Sequence, residues 1–112
     1  MKNAKMIRQG DLLFVPLEEP PDWLRLEGRK PEPGGIIARG EARGHHHRVA
    51  TVEDAEVFDV GLNNMFVRVG PNGVSIVHEE HEPVTLAPNT LYRVHRAREF
   101  DYLEGLARIV AD

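Results

Sequence analysis

The chain has no cysteine. That excludes a disulfide scaffold, a thiolate metal site, an iron–sulfur cluster and a cysteine nucleophile. Serine is nearly missing too. Ser75 stands alone in the middle of an apolar segment, a poor place for a Ser-His-Asp nucleophile. No apolar run reaches membrane-spanning length, so no membrane is expected as a partner. The start, MKNAKMIRQGD, has two lysines but no apolar stretch behind them. It does not read as a signal peptide, and the expected location is cytoplasmic. Positive charge is not in excess either: 14 Lys+Arg stand against 18 Asp+Glu, for a net charge of −4. Bulk electrostatic attraction to nucleic acid is therefore not expected. No glycine-rich loop leads into a helix, so the familiar phosphate cradles are missing as well.

What remains is 112 residues, 41% hydrophobic and 29% charged. This is enough to bury one core without covalent staples, and it predicts a single domain over residues 1–112. The pattern is β. Leu12-Leu13-Phe14-Val15, Ile36-Ile37-Ala38, His45 to Ala50, Ala55 to Val60, Met65 to Val69, Val74 to His78, Val84 to Leu86 and Thr90 to about Ala97 are strand candidates. Pro71-Asn72-Gly73 supplies a tight turn. No segment keeps a 3.6-residue period. Short strands between Gly, Pro and Asn turns predict an all-β fold, either a cupin-like barrel or a jelly-roll sandwich of antiparallel strands. Phe14, Val57, Val67, Val69, Val74 and Ile76 are the expected core. Residues 18–35 hold four prolines and three glycines and form a long irregular stretch. Within it, Trp23, Leu24 and Leu26 predict one helical turn capping the core. The tail from Leu103 to Val110 reads as a short helix or a last strand.

Six histidines are packed between His45 and His95. Two residues apart on a strand, His45 and His47 share a face and leave His46 on the other. His78 and His81 follow a strand whose exit can swing the second ring back beside the first. His45, His47, His78 and His81 are the candidate metal ligands. Glu80, His95 and Glu99 are possible additions. Such nitrogen and carboxylate donors suit a divalent transition ion: Zn, Fe, Mn or Ni. No catalytic residue follows from the sequence, and enzymatic activity is left open. If there is one, the metal would activate water or polarise a substrate oxygen, with His81, Glu80 or Glu99 moving protons. Arg93, Arg96 and Arg98 form a basic stripe, read as surface ion pairs with Glu99 and Asp101 or as an anion or RNA contact. Unclosed β edges predict a homodimer, and the pocket admits a small-molecule ligand.

Gly40 to His47 resembles the first cupin motif, a glycine followed by His-x-His. Leu86 to His95 is similar to the second, with Thr90 where the turn glycine stands in that family. Gln9-Gly10-Asp11, Gly40 to His47, His78-Glu79-Glu80-His81, Arg98-Glu99-Phe100 and Val110-Ala111-Asp112 together resemble a group of small bacterial and phage-associated β proteins with no established activity. That likeness implies the same four histidines. It also leaves a second reading open, a metal-free β module in a phage or defence-linked assembly, where the histidines form hydrogen bonds or an interface.

Overall fold

A computed structural model describes residues 4–37, 45–62 and 64–96. Ala38, Ala97, the Gly40–Gly44 motif, Arg98, Glu99, Asp101 and the Leu103–Val110 tail lie outside these. Eight strands form in chain order: β1 (Ile7–Gln9), β2 (Leu12–Leu17), β3 (Arg48–Val49), β4 (Ala55–Asp59), β5 (Met65–Val69), β6 (Val74–Val77), β7 (Val84–Leu86) and β8 (Leu91–Arg96). A 3-10 turn, Pro33–Gly35, is the only helical element among the described residues. The strands make two antiparallel sheets. One has the order β1-β2-β8-β5-β4, the other β3-β6-β7. They do not close into a barrel, and the arrangement is that of a β-sandwich.

Alternation along the strands builds the core between the sheets. Leu12 and Phe14, Val57, Val67 and Val69, and Tyr92 and Val94 face inward from the large sheet. Val49, Val74, Ile76 and Leu86 meet them from the small one. All six core residues expected from the sequence are buried. Tyr92 is fully buried and its hydroxyl accepts the Ala87 N–H at 2.8 Å, so its one polar atom is satisfied. At the turn between β5 and β6, where the chain passes from the large sheet to the small one, Gly73 N–H donates to Gly70 O, and Gly73 takes a φ of +71°, which favours glycine.

The outer face of the large sheet is also partly apolar: Leu13, Phe58 and Phe66 are buried there. The irregular stretch runs over this face. Trp23 sets its ring edge-on to Phe66, and Leu24 is buried. No helix forms at Trp23–Leu26. Leu24 N–H donates to Pro21 O in a single turn that does not continue. Arg93 lies over the Trp23 and Phe66 rings and reaches Asn64. Arg96 pairs with Asp11 at 3.4 Å. Two members of the basic stripe are thus engaged within the chain.

Three strand expectations differ from the structure. β1 has no counterpart in the sequence reading, because Arg8 interrupts its short apolar pattern. Ile36 makes only an isolated bridge to Arg48. The segment from His45 to Ala50 shrinks to Arg48–Val49, for a reason that defines the site.

Candidate functional site

β3 pairs with β6 in the register Arg48 with Val77 and Val49 with Ile76. Carried past the strand ends, the same register sets His47 opposite His78, His46 opposite Glu79 and His45 opposite Glu80. Side chains replace the backbone ladder there. The Glu79 carboxylate accepts the His46 N–H at 2.9 Å, and the Glu80 N–H donates to His78 Nδ1 at 3.0 Å. Strand geometry therefore stops at Arg48 and Val77, yet the two histidine segments still face each other. Glu79 also pairs with Arg48 at 3.4 Å, and Glu80 with His45 at 3.5 Å. Glu79 is held below the usual carboxylate range, first by the His46 N–H and its own backbone N–H.

Four of the imidazoles are linked by ring contacts. The His47 and His78 centres are 4.4 Å apart, His78 and His81 4.6 Å, His47 and His81 6.0 Å, and His45 and His78 5.9 Å. The turn after β6 does swing His81 back beside His78. His46 takes no part in these ring contacts. It is half-buried, and its Nδ1 is buried with no hydrogen-bond partner among the described residues. His95, on β8 opposite Leu13, belongs to the outer face of the large sheet, away from His47. Glu99 lies outside the described residues.

His47 is the buried end of the row, 1% exposed. Its carbonyl accepts the Ile37 N–H at 2.8 Å, and its Nδ1 is 2.8 Å from Gln9 Oε1. Burial is the main reason its pKa falls from 6.5 to about 4. His78 and His81 lower it further, and Asp11 and Glu79 oppose the shift. At neutral pH this imidazole is uncharged.

The β1–β2 turn forms a further wall that the sequence reading did not include. Gln9, 3% exposed, reaches His47 as well as the carbonyls of Ile76 and Glu82, each at 2.9 Å. Gly10 has a φ of +58°, and a Cβ on it would stand 2.6 Å from His81 Nε2, so the ring packs where a side chain would be. The Gln9-Gly10-Asp11 motif was visible in the sequence, but nothing in its spacing ties it to histidines so far along the chain.

As placed, no three His, Cys, Asp or Glu side chains among the described residues form a set arranged to hold a metal ion. The His47 and His81 planes lie only 8° from parallel, so the rings stack and do not converge on a point.

Fold and site together define a small two-sheet β domain with imidazoles along the seam between its sheets. The chain belongs to the family described as a domain of unknown function, DUF8820, which matches residues 8–97. No curated protein and no solved structure matches it. No helix among the described residues is long and apolar enough to cross a membrane.

Proposed function

We propose that the domain binds one divalent transition ion (Zn, Fe, Mn or Ni) through His47, His78 and His81, with His45 and Glu80 at the rim. The observation that supports this is the triangle of ring centres at 4.4, 4.6 and 6.0 Å. Imidazoles sharing a tetrahedral ion at metal–nitrogen distances of about 2 Å stand with centres about 5 Å apart. The triangle is the right size, and side-chain rotation is what binding requires. His47 is neutral, as a ligand must be. His78 ligates through Nδ1 only by giving up the Glu80 N–H. An ion held here would supply Lewis acidity to a small oxygen-bearing ligand.

The test is calorimetric titration of chelator-stripped, untagged protein with Zn²⁺. One ion per chain is expected. His81→Ala, at an exposed position, lowers affinity about 100-fold or more, beyond what loss of a supporting hydrogen bond costs. His46→Ala leaves it nearly intact. Equal losses from the two variants mean that the His45–His47 run merely chelates metal, and the proposal fails.

One observation favours a second reading. The stacked rings and the Glu80 N–H on His78 are already a satisfied hydrogen-bonding surface. That suits a metal-free module that docks a polar partner, and such a module takes up no Zn²⁺ in the same titration.

A further inference from the structure

Gln9 on β1 ties the His47 segment to the chain that runs from β6 to β7. Its amide nitrogen lies 2.9 Å from two carbonyl oxygens, those of Ile76 and Glu82. Carbonyl oxygens only accept, so both amide hydrogens are committed and the amide cannot be flipped. Its oxygen therefore faces His47 Nδ1 at 2.8 Å. An amide oxygen only accepts as well, so His47 donates. The proton of the neutral ring must sit on Nδ1, and the lone pair on Nε2.

We propose that Gln9 is the positioning residue of this site. It sets the tautomer of His47, committing Nε2 as the electron-pair donor. Through Ile76 O and Glu82 O it also holds both ends of the connection that carries His78 and His81. In histidine metal sites the nitrogen that is not coordinated usually donates to a fixed acceptor, which orients the ring and raises its basicity. Here that acceptor comes from β1, an edge strand of the other sheet. The sheet seam and the site are thus fastened by one amide. The metal part of this role rests on the proposed function; the tautomer part stands without it.

The experiment reads the two parts separately. Long-range ¹H–¹⁵N spectra of ¹⁵N-histidine-labelled, metal-free protein report the tautomer of each ring. His47 is expected as a single Nδ1–H form. Gln9→Met, similar in volume but without hydrogen bonds, should give mixed tautomers at His47. A purely structural glutamine would leave the tautomer of a still-folded Gln9→Met variant unchanged. That result, or an Nε2–H ring in the wild type, overturns the assignment. Zn²⁺ titration of the same samples should show a tenfold to ~100-fold weaker affinity for Gln9→Met. A wild type with the expected tautomer and no zinc uptake overturns the metal reading and leaves the role of Gln9 supported.

Discussion

The protonation of His47 should make the fold acid-labile in a defined window. In the unfolded chain the ring has its ordinary pKa of 6.5, and in the folded chain about 4. The folded state therefore binds fewer protons between these values, and stability falls as pH falls through the window. Above pH 7 both states are neutral and the group contributes nothing to the slope. By linkage the loss from this one ring is about 2 kcal/mol at pH 5 and about 3 kcal/mol at pH 4. The groups that face it are His78 and His81, which deepen the effect, and Asp11 and Glu79, which oppose it. Glu79 is itself held below the usual carboxylate range by the backbone N–H groups it accepts. The comparison is His47→Gln, which keeps an N–H for Gln9 and does not titrate. Urea unfolding at pH 7, 6 and 5 in the presence of chelator, followed by far-ultraviolet circular dichroism, gives both slopes. At about 2 kcal/mol per molar urea, the wild-type midpoint should drop by roughly 1 M between pH 7 and 5 relative to the variant. Parallel slopes would refute the reasoning, because the ring would then be solvated or already charged.

Three glycines at positive φ separate backbone strain from packing. Gly28 (φ +73°) has nothing within 4 Å of an added Cβ, so Gly28→Ala should cost only about 1 kcal/mol in chemical denaturation. Gly35→Ala adds a Cβ 2.2 Å from Val49 Cγ2, against a buried β-branched side chain, and should cost about 3 kcal/mol or more. A loss no larger than that of Gly28→Ala would count against the packing described at β3. Gly10→Ala meets only the His81 ring, which is exposed and can turn away. Its stability loss should match that of Gly28→Ala, while the His81 ring signals shift in the NMR spectrum and zinc affinity falls; unchanged His81 signals would contradict the contact.

Most of the fold is legible in the sequence because it rests on alternation. Met65, Val67 and Val69, or Val74 and Ile76, declare a buried face without help from any partner. Gln9 and β1 are not legible in this way. A three-residue strand carries almost no periodicity, and a glutamine looks solvent-facing until three partners from distant segments surround it. The histidines fall in between. Their grouping is plain, but their meeting depends on the β3–β6 register, which no local spacing encodes. A His-x-His pair shares a face by alternation only on a regular strand. The segment is irregular, and His45 and His47 nevertheless both reach His78, because Glu79 and Glu80 hold the backbone where strand hydrogen bonds would have been. His95 shows the opposite case: it sits on a regular strand, at a parity that puts it on the outer face.

The central claim is that His47, His78 and His81 share one ion. A crystal structure of the zinc-soaked, untagged protein, with anomalous differences measured on both sides of the zinc absorption edge, tests it most directly. The account predicts one strong peak at the seam, about 2 Å from a nitrogen of each of these three rings. His46 and His95 should make no bond to it. No peak at the seam, or peaks confined to the exposed edges of His45 and His46, would contradict it.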